Sequence, residues 1–197
     1  STVYQNTNLE QDVKISIKLK SKTEINALTI DYDKRFDEFL SVEYPAFVRR
    51  NPQPQIDSFK LAMRSFYASV KNAYFDAYIT YTIAALEEKT GRSEKKLFKD
   101  YIDGKPVLYN HPEYINFFNT FYKHKLQRLN NSTNAGDLAF QLNEQTSYSG
   151  LMNVLKLDPF LQNDTIRELV LIKGLYETYY DGTFKKSKII NLLEQTV

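Results

Sequence analysis

The sequence predicts a mainly α protein, an irregular bundle or stack of helical hairpins with a short N-terminal β-hairpin or strand. Apolar residues recur at helical spacing from Asp31 onward, and capping residues, glycines and prolines separate the helical stretches. Clear two-residue alternation is confined to the N-terminal part. The 197 residues can bury a sizeable core, since a chain of this length hides roughly 70% of the surface it exposes when unfolded. With 42% hydrophobic and 25% charged residues, the composition excludes wholesale disorder.

Val13, Ile15, Ile17 and Leu19 alternate with lysines and a serine, which gives a strand with one buried and one wet face. "KSKTE" reads as a turn, and "INALTI" as a second, weaker extended arm. Residues 1–30 therefore read as a β-strand or hairpin segment and residues 31–197 as an all-helical domain. A lone hairpin is marginal in water, so this one must lean on helices or on another sheet.

In the next stretch Phe36, Phe39, Leu40 and Phe47 mark an apolar stripe, and Pro45 kinks or ends its first piece. "NPQPQ" at 51–55 breaks the chain before a helix through "IDSFKLAMRSFYASV", a bend follows near "KNAYFDAY", and the next helix closes at Gly91. Ser93 opens "SEKKLFKDYI", which Gly104 and Pro106 end. Asn110, Pro112 and Glu113 then have the spacing of a side-chain cap, a pre-set φ and a reciprocal glutamate, starting a helix through Leu129.

After the polar loop "NNSTNAG", two short helices meet near Ser147 to Gly150. Asn163 or Asp164 caps "NDTIRELVLIKGLYETYY", whose scarcity of polar residues predicts the most buried helix of the fold, and "KKSKIINLLEQTV" supplies the last one.

Charge and composition exclude several functions. Basic and acidic residues nearly balance, at 26 and 24, so there is no electrostatic footprint for nucleic acid. No uninterrupted apolar stretch approaches the roughly 18 residues of a membrane span, and no export signal is present. The absence of cysteine removes thiolate metal sites and cysteine nucleophiles. His111 and His124 lie thirteen residues apart, which is wrong for a metal pair on one helical face. His111 reads as a surface or capping residue and His124 as solvent-facing. The dense acidic groups, Asp31 with Asp33 and Asp37 with Glu38, read as solvated positions; no catalytic, cofactor-binding or metal site is predicted.

Tyrosine and phenylalanine are abundant, at 15 and 13 residues, and follow helical spacing. Core packing explains most of them. The alternative is a stand-alone peptide- or glycan-binding domain with a tyrosine-lined groove, for which Tyr74, Tyr78, Tyr81, Tyr109 and Tyr114 are the candidate contacts.

Two long stretches, "SEKKLFKDYIDGKPVLYNHPEYINFFNTFY" and "DPFLQNDTIRELVLIKGLYETYYDGTFKKSKIINLLEQ", go beyond periodicity. Their wording resembles the helical region that precedes the thioredoxin-like domain in TlpA-type cell-envelope thiol:disulfide oxidoreductase-like proteins of Gram-negative bacteria. "NAYFDAYITYTIAALE" adds to the likeness, and the strand-bearing start suits a β-region found upstream in such proteins, of which residues 1–30 would be the remnant. The resemblance implies a non-catalytic accessory domain that positions a covalently attached thioredoxin-like domain or recognises protein clients. It also implies a periplasmic or outer-membrane-anchored location. The CxxC that carries the family's redox chemistry has no counterpart in this cysteine-free chain, so no catalytic residue carries over.

Overall fold

Apolar residues at helical spacing fold as helices throughout the computed structural model, which describes residues 21, 24–50, 52–130, 135–182 and 184–195. Among the described residues the protein is mainly helical, without strands. The first half comprises α1 (Ile25–Val42), α2 (Tyr44–Val48), α3 (Gln53–Phe66), α4 (Ala73–Lys89) and α5 (Glu94–Tyr101). The second comprises α6 (Pro112–Phe121), α7 (Lys125–Asn130), α8 (Ala135–Phe140) running into a π-helical turn at Gln141–Gln145, α9 (Tyr148–Leu155), α10 (Asp164–Asp181) and α11 (Lys186–Glu194).

The alternating segment Val13 to Leu19 lies outside the described residues. Its expected partner "INALTI" does not extend but forms the first turns of α1. Leu28 and Tyr32, one helical turn apart, are both buried, and Ile25 packs against the same core. Burial at helical spacing therefore outweighs the strand preference of Ile25, Thr29 and Ile30.

Most of the expected punctuation is in place. Pro45 sits in the first turn of α2, where its missing N–H is not needed. Gly91 has φ +82°, and the pattern around it closes α4, with Gly91 N–H donating to Glu88 O and Arg92 N–H to Glu87 O, both at 3.0 Å. Ser147 and Asn163 cap α9 and α10 by accepting the N–H groups of Gly150 (3.1 Å) and Ile166 (3.0 Å). Ser93 occupies the position before α5 but makes no side-chain cap bond.

Two expectations need correction. Asn110 is exposed and does not cap α6; the capping position belongs to His111, which is buried and gives no side-chain cap bond. The helix expected to reach Leu129 stops at Phe121, and the chain turns through His124 at φ +53° before restarting as α7. That turn lets Leu126 seat on α10 and Lys125 reach Asp158 at 2.9 Å, so tertiary contacts override an unbroken helical pattern. Helix α10, expected to be the most buried, does have the most buried residues among the described helices, Ile166, Val170, Leu171, Gly174 and Leu175 among them, and still keeps a wet face with Tyr176 and Tyr180 exposed.

Two apolar clusters share α4. Its residues Phe75 and Ile83 join Leu28, Tyr32, Ile56, Phe59, Met63 and Tyr67 from α1, α3 and the following turn. Its Ala77, Tyr81 and Ala84 join the larger cluster built from α5 to α11. A helix with apolar residues on nearly every side has to be interior. The small Ala77 and Ala84 admit α6, where Tyr114 meets Tyr81 edge-on at 4.9 Å between ring centres.

In α10, Gly174 is where α7 comes closest, since a β-carbon there would lie 2.3 Å from Leu126 Cγ. Elsewhere in a helix, exchanging glycine for alanine gains about 1 kcal/mol. Here Gly174→Ala should instead lose about 1–3 kcal/mol through overpacking, measured by urea unfolding. In a Leu126→Ala background the loss should disappear, because the clashing atoms are gone.

Candidate functional site

Between α3, α4 and the end of α5 lies an open cleft of about 640 Å³. Helix α3 contributes Asp57, Lys60, Leu61 and Arg64 at helical spacing, so one face of that helix forms a wall. Helix α4 supplies Asp76, Ala77, Thr80 and Tyr81 opposite, and Tyr101, Lys105 and Pro106 close one end.

Behind this cleft sits Glu87, wholly buried at the last turn of α4. Its Oε1 accepts from Lys60 Nζ at 3.0 Å and from Gln53 Nε2 at 3.2 Å. Its Oε2 accepts from the Tyr101 hydroxyl at 2.8 Å and pairs with the Arg92 guanidinium. Lys60 Nζ also donates to the Tyr101 hydroxyl at 2.8 Å, and Arg92 continues outward to Asp100 at 2.6 Å. A buried carboxylate is tolerated only when it is paired and its lone pairs are filled. Burial pushes the Glu87 carboxyl up, but bonds donated by Arg92, Lys60 and Tyr101 outweigh that and hold it below the ordinary glutamate range. Burial, with the neighbouring Glu87 charge, drives the Tyr101 hydroxyl far above its usual value, so it stays a donor.

The five tyrosines singled out from the sequence do not gather in one groove. Tyr81 lines the cleft but is itself buried, its hydroxyl donating to Tyr101 O at 3.2 Å. Tyr114 is 1% exposed and belongs to the core. Tyr78 donates to Asp33 Oδ1 at 2.8 Å, and Tyr74 lies against the His111 ring at 4.3 Å with its own ring partly in solvent. Tyr109 is exposed.

The acidic pair read as solvated does lie at the surface, with the Asp31 side chain 44% exposed and Asp33 exposed, and it is bonded there as well. Asp31 accepts from Arg35 at 3.0 Å and from the Tyr67 hydroxyl at 2.7 Å, and these bonds hold its carboxyl low. His124 is solvent-facing as expected. His111 is not: its Nε2 donates to Tyr74 O at 3.0 Å, and its Nδ1 is buried without a hydrogen-bond partner. Among the described residues no group of three or more His, Asp or Glu side chains is placed to hold a metal ion, and no helix is long and apolar enough to cross a membrane.

Sequence reasoning missed Lys60, Arg64, Asp76, Glu87 and Lys105. A usable signal was present in α3, where Asp57, Lys60, Leu61 and Arg64 share one stripe opposite the buried Ile56, Phe59 and Met63. Glu87 carried no such signal, because "EEK" at a helix end reads as a wet terminus. No family model matches the chain, and neither a curated protein nor a solved structure matches it significantly.

Two predictions arise. Glu87→Gln should cost about 3 kcal/mol, the low end for a broken buried pair, because Lys60 and Arg92 keep 19% and 16% of their side-chain surface and can rehydrate. Since the folded-state value of Glu87 is depressed, its contribution is present above the unfolded carboxyl value of about 4.3 and is lost as pH falls through the folded one. Urea midpoints taken across acid pH should therefore fall less steeply for Glu87→Gln than for the parent.

The second concerns the start of α6. Asn110→Ala should leave stability within about 0.5 kcal/mol, whereas His111→Ala should lose about 1–3 kcal/mol from the lost hydrogen bond to Tyr74 O and the vacated ring site. Thermal melts of the two variants separate these outcomes.

Proposed function

We propose that this chain is a non-catalytic helical accessory module of a larger cell-envelope thioredoxin-like protein, located in the periplasm or at the outer membrane. It positions the redox domain or holds that domain's protein clients. The observation that carries this reading is the commitment of the buried ionisable and aromatic groups to joining helices. Glu87, the most buried carboxylate beside the cleft, is filled by Lys60, Gln53, Arg92 and Tyr101. A group already saturated by fixed donors is a scaffold element rather than a poised acid or base.

Support also comes from the word patterns around "KPVLYNHPEYINFF" and "RELVLIKGLYETYY". In the structure the first spans the His111 bend and the start of α6, and the second spans α10, which are packing elements of the larger core. Exposed Val42, Tyr44, Val48 and Leu61 add apolar surface suited to contact with another domain or a client.

The test uses the gene from which the chain comes. A thioredoxin-like segment with CxxC should follow Val197, and deleting the helical region should slow reduction of a disulfide-bonded protein while sparing a small-molecule disulfide. A stop codon directly after Val197, or equal rates on both substrates after deletion, would refute the proposal.

A further inference from the structure

Three local rules are broken at one place, the corner between α8 and α9. The chain leaves α8 through the π-helical turn Gln141–Gln145, a form that is rare and found frequently at functional positions. Thr146 then has φ +49° and ψ 48°, the left-handed region, where glycine is the ordinary choice and a β-branched residue is an outlier. Its hydroxyl oxygen is also buried without a hydrogen-bond partner among the described residues.

Strain of this kind persists only where surrounding contacts hold it. Here the holder comes from the last helix. Gln195, the residue that ends α11, donates from Nε2 to Thr146 O at 3.0 Å and accepts the Tyr148 N–H on Oε1 at 3.1 Å. Nε2 also donates to Asn191 Oδ1 at 2.8 Å, one turn back on the same helix, so both amide hydrogens are used. One side chain thus bridges the residues on either side of Ser147, which caps α9. Gln141 closes the corner from the other side, where its side chain lies so near Gly150 that a β-carbon there would overlap Gln141 Oε1.

We infer that Gln195 is a latch that keeps this strained corner closed, and that the corner opens when the last turn of α11 lifts. Ile189 and Leu192 are buried in the core and keep α11 seated, whereas Gln195 is exposed and lies about one turn beyond Leu192. The latch therefore releases without undocking the helix. On release, Thr146 O and the Tyr148 N–H turn to water, Thr146 leaves the left-handed region, and its hydroxyl becomes hydrated. The coupling runs both ways: whatever holds down the end of α11 favours the closed corner, and whatever opens the corner frees the end of α11. The inference stands apart from the proposed module role.

The test is amide hydrogen exchange on the full chain, read residue by residue. The informative amides are those of Thr146 and Ser147, which donate to Gln141 O and not to Gln195. Gln195→Met keeps the stem and removes the amide, and it should lower the protection of Thr146, Ser147 and Tyr148 about tenfold. Val170 and Leu171 in α10 should keep their parent protection. Glycine accepts the left-handed conformation freely, so Thr146→Gly should raise the melting temperature and, in the Gln195→Met background, return Ser147 to its parent protection. Loss of protection at Tyr148 alone would make Gln195 a surface bond and overturn the latch. A lower melting temperature for Thr146→Gly, or no recovery of Ser147 in the double variant, overturns it as well.

Discussion

Helix α4 must bury two opposite faces at once, and the rest of the fold is arranged around that requirement. Phe75 and Ile83 look into one core, while Ala77, Tyr81 and Ala84 look into the other. The two sides differ in grain. On the first, Tyr32 meets Phe36, Phe59, Tyr67, Phe75 and Tyr78, so large rings fill a wide space between α1, α3 and α4. On the second, alanines bring α4 close to α6, and the rings of Tyr114 and Phe117 rise to meet Tyr81. Aromatic pairs in edge and tilted geometry add specificity to burial, which suits a chain that has no disulfide to hold its halves together.

A helix interior on both sides has a difficulty at its end, where unsatisfied carbonyls and any charged residue would be stranded. The sequence resolves it at one point. Gly91 turns the chain so that Arg92 N–H takes the Glu87 carbonyl, and the same turn brings the Arg92 side chain onto the Glu87 carboxylate. Lys60 from α3 and Tyr101 from α5 complete the set, so one buried charge links elements packed on opposite sides of α4. Such a network contributes less net stability than its contact distances suggest, because desolvation offsets the attraction. Its effect is to select one relative placement of α3, α4 and α5. Lys125 with Asp158, under the ring of Phe160, does the same between α7 and the turn before α10.

Local rules were legible where the residue that enforces them is adjacent in sequence. Gly91, Ser147, Asn163 and Pro45 each act within a turn of themselves, so helix ends could be placed from them. The errors fall where the deciding partner is far away. Leu28 becomes helical because Tyr32 shares its core, against a run with strand-forming Ile25, Thr29 and Ile30. The break at His124 has no glycine or proline to announce it; it exists because Leu126 fits over Gly174, nearly fifty positions later. His111 reads as polar and terminal, yet the Tyr74 carbonyl on α4 draws it inside. The tyrosines were correctly legible as helical stripes, but their division between interior and surface depends on which neighbour each stripe meets.

That division also separates what is rigid from what is available. Lys60 and Arg64 lie one turn apart on α3, and the first is held by Glu87 and Tyr101 while the second is not held by any described residue. The buried face of Ile56, Phe59 and Met63 sets the rotation of α3 about its axis, and with it the direction in which Arg64 leaves the helix. On the facing helix, Tyr81 is pinned through its hydroxyl to Tyr101 O, which sets the face that carries Asp76 and Thr80. The exposed charges of the cleft are therefore presented from walls that the two cores and the buried network have already oriented.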